Sequence, residues 1–251
     1  MKYLLFLMTI LLLFISCGSE TPQGKTAAEV LYKEANELMA DKHYNLAMEK
    51  LNTLKSQYPY SFYAKHAQLK QADISFLQEN YVEAAAGYIL FKDLHPKDEQ
   101  IPYVLWRTAE SYFNQLPSTF DRDLDPANEA IKYYTELTSR FPNYEKNFEA
   151  LKRIQECNDM IENKEKYIAD YYYKTDAYES AKFRYLGIIN NFKEKDLVNH
   201  ARVRVVLSAL NSENFDECIK YAGEYSDKVD EKGQKEINEA KNECLKNRKK
   251  E

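Results

Sequence analysis

Apolar and small residues recur along this chain with a helical rather than an alternating spacing. Tyr44, Ala47, Met48, Leu51 and Leu54 fall three and four apart, which puts them on one face of a helix. A small residue stands 12 places ahead of another in Ala35/Ala47, Ala72/Ala84 and Ala169/Ala181, and more loosely in Val206/Cys218. Ala109/Ala130 is the same pair stretched by 9 residues. Ala35, Ala72 and Ala109 advance by 37, and so do Ala169 and Val206. An aromatic (Tyr44, Tyr81, Tyr178 or Phe215) precedes the second small position by three. Pro59, Pro96 and Pro142 close the phrases "SQYP", "DLHP" and "SRFP".

The physical reading is a helical hairpin. Two antiparallel helices approach closely only where side chains are small, and a proline stops the second helix. One hairpin cannot bury both its faces, so neighbours stack into a solenoid. The pattern resembles the tetratricopeptide repeat. Five copies fit, over roughly 28–61, 65–98, 102–144, 162–195 and 199–232. The expected fold is therefore all-α, a tetratricopeptide-repeat α-solenoid of about five hairpins. The Trp and Gly of the repeat consensus are mostly missing.

Two irregularities interrupt the repeat. One is the 9-residue insertion inside the third hairpin, within "LPSTFDRDLDPANEA". The other is the step from Ala130 to Ala169, 39 residues against 25 elsewhere. The surplus is about four helical turns. It predicts one long helix over roughly 146–174. That helix would divide an N-terminal block of three repeats, 27–144, from a C-terminal block, 145–251, holding the long helix, repeats four and five and a C-terminal helix.

Composition agrees with helices. Only 6 Gly and 7 Pro occur in 251 residues, too few turn formers for a sheet-rich fold. The net charge of −5 and the absence of a basic block before the terminal "KNRKK" give no case for nucleic acid.

The front of the chain reads differently. Residues 3–15, "YLLFLMTILLLFI", form a 13-residue apolar run behind Lys2. A spanning helix needs about 20 residues, so the run fits the core of an export signal over 1–16. It ends at Ser16–Cys17, which resembles the lipobox of bacterial lipoproteins. The resemblance implies a diacylglycerol on the Cys17 thiol and an acyl chain on its amine, enough for stable anchoring. Residues 17–26 then read as the lipidated N-terminus and a tether. Residue 18 is Gly rather than Asp, which by resemblance to enterobacterial lipoprotein sorting implies delivery to the outer membrane.

Chemistry is sparse. His43, His66, His95 and His200 form no metal-binding cluster, and no nucleophile, phosphate or dinucleotide motif occurs. Neither a catalytic residue, a metal nor a cofactor is expected. Asp121, Asp123 and Asp125 copy half of a calcium loop, but Pro126 and Lys132 stand where its Gly and Glu belong. Asp125 reads better as a helix N-cap, with Pro126 at the first helical position. Of the four cysteines, Cys157, Cys218 and Cys244 remain once Cys17 is taken. An odd number argues against a disulfide framework, so they read as reduced or buried thiols.

What remains is surface. In tetratricopeptide arrays the first helix of each hairpin lines a concave groove. Mapping repeat positions puts Tyr32, Asn36, His66, Leu69, Asp73, Phe76, Tyr103, Trp106, Glu110 and Phe113 there. Aromatics with scattered polar groups suit capture of an extended peptide; packing between adjacent hairpins is the other reading.

Several stretches together resemble the BamD (ComL) family of outer-membrane assembly lipoproteins. They are the lipobox, "YPYSFYAKHAQL", "PYVLWRTAESY", the insert "FDRDLDP" and "YIADYYYKTDAYESAKFRYLGIINNF", over about 17–225. The family's Asp-Arg-Asp-Pro run is matched at Asp121, Arg122 and Asp123, but Leu124 and Asp125 intervene before Pro126. The resemblance implies a non-enzymatic scaffold of the β-barrel assembly machinery on the periplasmic face of the outer membrane. It implies binding to the last POTRA domain of a BamA-like barrel protein through the C-terminal half, with Arg184 in the contact. It also implies contact with other lipoproteins of the machinery, and capture of unfolded outer-membrane clients in the N-terminal groove. The alternative is a lipoprotein scaffold of the same repeat type serving cell-wall or secretion machinery.

Overall fold

A computed structural model describes residues 26–249. Among them are eleven helices: α1 Ala27–Ala40, α2 Tyr44–Gln57, α3 Phe62–Leu77, α4 Tyr81–Leu94, α5 Ile101–Phe113, α6 Asp125–Arg140, α7 Asn147–Lys174, α8 Tyr178–Asn191, α9 Lys195–Asn211, α10 Phe215–Tyr225 and α11 Glu231–Arg248. The chain forms two compact units that part between Pro96 and Lys97.

The first unit is two hairpins, α1/α2 and α3/α4, with α3 packed on both helices of the first. The small residues sit at the crossings: Ala35, Ala47, Ala72 and Ala84 are all buried. The approach in the second hairpin is close enough that a Cβ on Gly87 would lie 2.9 Å from the Ala72 Cβ. Leu51, Leu54, Ile74, Tyr88 and Phe91 fill the remaining interior.

The second unit holds hairpins α5/α6, α7/α8 and α9/α10, closed by α11 against α9 and α10. The long helix expected over 146–174 is α7, 28 residues. It does not separate hairpin three from hairpins four and five. Its N-terminal half packs on α6, where Arg153 lies 3.6 Å from Glu110 of α5, and its C-terminal half pairs with α8. One continuous helix shared by two hairpins joins them, so the boundary expected near residue 145 falls instead after hairpin two.

Four hairpin turns use the same backbone. Lys42, Glu79, Asp176 and Glu213 all have φ near +60°. The amide that follows each one bonds five residues back: His43 to the Leu38 carbonyl, Asn80 to Ser75, Ala177 to Tyr172, Asn214 to Ala209. This is the double-bonded helix stop that ordinarily takes glycine. Here it is built without one, and the aromatic starting each second helix follows two residues later.

Two local expectations change. Asp125 is the first residue of α6, with Leu124 at the cap and the Asp125 amide donating to the Asp123 carboxylate at 3.1 Å. The cap shifts by one because the Asp123 side chain already turns the chain into the helix. The cysteines change more. Cys218 and Cys244 form a disulfide between α10 and α11, with Cα atoms 6.4 Å apart. The odd count misled because Cys157 is buried alone on α7, leaving an even pair elsewhere.

Candidate partner-binding surfaces

Cys17 lies outside the described residues. The ten groove positions divide between the two units, six in the first and four in the second.

In the first unit, Leu69 and Asp73 are buried, not displayed in a groove. The Asp73 carboxylate accepts the Tyr88 hydroxyl at 2.8 Å and lies 3.2 Å from Lys70 Nζ. Packing of α4 over this face of α3 removes both residues from the surface. Tyr32, Asn36, His66 and Phe76 stay half-buried. The Tyr32 ring lies 5.3 Å from Tyr63 and 6.2 Å from His66. Asn36 donates to the Tyr32 carbonyl at 2.9 Å, and Phe76 meets Tyr81 edge-on at 5.3 Å.

In the second unit, Trp106 is buried, tilted against Tyr134 at 5.5 Å with Lys146 Nζ 5.8 Å from its ring. Glu110 accepts a short hydrogen bond from Tyr134. Burial first, then the Glu110 charge, pushes the Tyr134 phenol far above its ordinary value. Phe113 lies beneath the Arg153 guanidinium at 4.2 Å. Tyr134 of α6 and Lys146 meet Trp106, while Arg153 of α7 reaches Glu110 and Phe113. Tyr103 keeps a half-exposed ring, its hydroxyl accepting from Arg107 Nε at 3.1 Å.

Arg184 is different. Its side chain, 42% exposed, projects from α8 with its guanidinium 3.8 Å from Glu165. Beside it Phe183 is 74% exposed. One turn on, Gly187 sits mid-helix, and a Cβ there would meet nothing within 4 Å. Glycine inside a helix is unfavourable by about 1 kcal/mol relative to alanine. No neighbour among the described residues requires the missing side chain. Knob, cation and bare backbone thus share one outward face.

The insert adds a second exposed feature. Phe120 meets Tyr167 of α7 at 5.8 Å, and Lys164 Nζ donates to the Arg122 carbonyl at 2.6 Å. Phe120, Tyr167, Tyr171 and Lys174 rim a shallow cleft along α7. Sequence reasoning missed Phe120, Tyr167, Tyr171 and Phe183. The only sequence signal for them is large apolar residues off the buried stripe.

Stacked antiparallel hairpins carrying aromatic and basic outer faces define a helical-repeat scaffold protein. The family model described as "YfiO: Outer membrane lipoprotein" matches residues 25–214, and the chain belongs to that family. Curated relatives carry the name outer membrane protein assembly factor BamD. The one from Neisseria gonorrhoeae is 29% identical over 217 residues, covering 80% of this chain and 81% of its own. The one from Rickettsia prowazekii is 28% identical over 222 residues, covering 88% of each. Among solved structures, a tetratricopeptide repeat protein from Parabacteroides merdae aligns at 14% identity and a TM-score of 0.38, covering 86% of this chain and 74% of its own.

Proposed function

We propose that this chain is a non-enzymatic lipoprotein of the β-barrel assembly machinery, a scaffold for the insertion of barrel proteins into the outer membrane. The observation that carries this is the family match over 25–214 together with relatives named as assembly factors along most of their length. In this reading Cys17 bears the lipid that holds the chain at the periplasmic side of the membrane. The α8 face around Arg184 receives the POTRA region of a BamA-like barrel protein. Arg is favoured at interfaces, and an adjacent exposed aromatic supplies desolvated area. The half-exposed rings of the first unit are left for extended segments of client proteins, and other lipoproteins of the machinery join the same scaffold.

The test is a pull-down of the tagged full-length protein from detergent-solubilised envelopes, read by mass spectrometry. Recovery of a barrel protein with POTRA domains is expected. Recovery of a different envelope complex in its place overturns the assignment. Arg184→Glu should then lower capture of that partner with helix content unchanged, and Cys17→Ser should leave the protein without lipid.

A further inference from the structure

The loop that closes the first hairpin is aromatic and exposed. In "YPYSFY", residues 58–63, Tyr60 is 100% exposed and Phe62 71%. Phe62 is held in place by other rings. Phe62 meets Tyr63 edge-on at 5.5 Å and His66 at 4.6 Å, and Tyr63 in turn meets Tyr32 at 5.3 Å. Half-buried rings brace Phe62 from below, and Tyr60 projects fully into solvent two residues before it.

Its place in the fold is specific. Helices α1 and α2 are antiparallel, so the loop after α2 returns to the end of the hairpin where α1 begins. The contact between Tyr32, early in α1, and Tyr63, at the start of α3, fixes that adjacency. This is the end at which the chain arrives from Cys17. Nine residues, 18–26, lie between that cysteine and α1. Fully extended they reach about 30 Å.

The equivalent loop positions of later hairpins are polar. They hold Lys97 and Glu99 after hairpin two, Asn143 and Glu145 after hairpin three, and Glu194 and Asp196 after hairpin four. A role in stacking repeats would call for aromatics at each of them. Instead the exposed pair occurs at the hairpin closest in sequence to Cys17.

We propose that Tyr60 and Phe62 form a membrane-interface contact that seats this edge of the first hairpin at the headgroup level of the bilayer. The proposal rests on lipidation of Cys17 under the function above. Tyrosine suits that depth because its ring is apolar and its hydroxyl stays wet. A lipid at Cys17 fixes one point of the chain and does not by itself set the scaffold's orientation. A second, weak contact beside the tether restricts it, because the anchor makes the second binding event intramolecular at high effective concentration. The first hairpin would then stand against the membrane, with hairpin two packed on it from a fixed edge.

The experiment uses the full-length lipoprotein reconstituted into vesicles of phosphatidylethanolamine and phosphatidylglycerol, with and without lipids brominated near the headgroup end of the acyl chain. Tyr60→Trp and Phe62→Trp are made separately. The parent protein supplies the emission of Trp106, which is buried. The added emission should shift to shorter wavelength and be lost to the brominated lipid. Unquenched emission at the wavelength of exposed tryptophan, from protein that still floats with the vesicles, overturns the proposal while the anchor stands. Missing acyl mass and failure to float overturn the anchor itself, and the proposal with it. Emission that responds to an added extended peptide but not to lipid assigns the patch to client capture and also overturns it.

Discussion

The hydroxyl of Tyr185 donates to the carboxylate of Asp170 at 2.6 Å, between the two helices of the fourth hairpin. The same pair recurs as Tyr88 with Asp73 at 2.8 Å and as Tyr134 with Glu110. In each the acid follows the first small residue by one position and the tyrosine follows the second by four. The separation is 15 residues twice, and 24 in the hairpin that carries the insert. A cation attends each acid: Lys70 on Asp73, Arg153 on Glu110 and Lys166 on Asp170, whose carboxylate also lies 2.8 Å from His200 Nε2. Hairpins one and five have Asn36/Leu51 and Leu207/Ala222 at these positions. The three middle hairpins are thus latched by a charge-assisted polar pair, the outer two by packing.

Asp170→Asn should destabilise the protein by about 1–3 kcal/mol and Tyr185→Phe by about 1 kcal/mol, read as lower urea midpoints. Burial alone would raise the Asp170 carboxyl. Hydrogen bonds from His200, Lys166 and Tyr185 hold it well below the usual carboxylate range. A carboxyl lowered in the folded state contributes stability in full above its unfolded value of about 3.9 and loses it as pH falls towards the folded value. The Asp170→Asn variant should therefore show a shallower loss of stability below about pH 4 than the parent. Parallel acid limbs in the two proteins would remove the latch from the account.

The positive-φ turns make a prediction of the opposite sign. Glu79 and Asp176 are exposed and pay for a backbone that glycine adopts freely. Glu79→Gly should raise stability by about 0.5–1 kcal/mol, the relief of strain outweighing the freer unfolded chain. Glu79→Val should lower it. Thermal or urea unfolding of the pair checks both signs.

Reduction of Cys218–Cys244, which are 26 residues apart, should cost about 2–4 kcal/mol, felt where α11 closes the second unit. Cys157 gives an internal control. Burial pushes its thiol up to about 12, and its side chain is covered. A maleimide should label it only in denaturant, whereas Cys218 and Cys244 should label only after reduction as well. Labelling of Cys218 in unreduced, denatured protein would contradict the disulfide.

The α8 face separates stability from binding. Gly187→Ala should stabilise the free protein by about 1 kcal/mol, since the added Cβ meets nothing. Under the proposed docking of a POTRA region on α8, Gly187→Leu should leave the free protein folded yet weaken capture of that partner, because the added side chain would occupy the open face. Phe183→Ala should change the urea midpoint little and capture markedly. Pull-down efficiency set beside urea midpoints distinguishes these effects.

The hairpins were legible because their signal is local. Ala35, Ala47, Ala72, Ala84, Ala109, Ala130, Ala169 and Ala181 are all buried at the crossings that their spacing marks. Asp73, Glu110 and Trp106 were legible in register but not in role. Repeat position puts them on the first helix of a hairpin. Whether a neighbouring tyrosine or the long helix covers them depends on a partner 15 or more residues away.

By itself the sequence determined the period, the small residues at each crossing, the length of α7 and the membership of an outer-membrane lipoprotein family. The first three follow from spacing along one helix, where the 3.6-residue turn leaves little freedom; the family follows from the resemblance of particular stretches, the insert among them. Tertiary structure alone decided that α7 joins hairpins three and four, that Cys218 meets Cys244, and that an aspartate, a tyrosine and a cation close on one another inside a hairpin. Each of these depends on which side chains packing brings together, and distance along the chain does not report that.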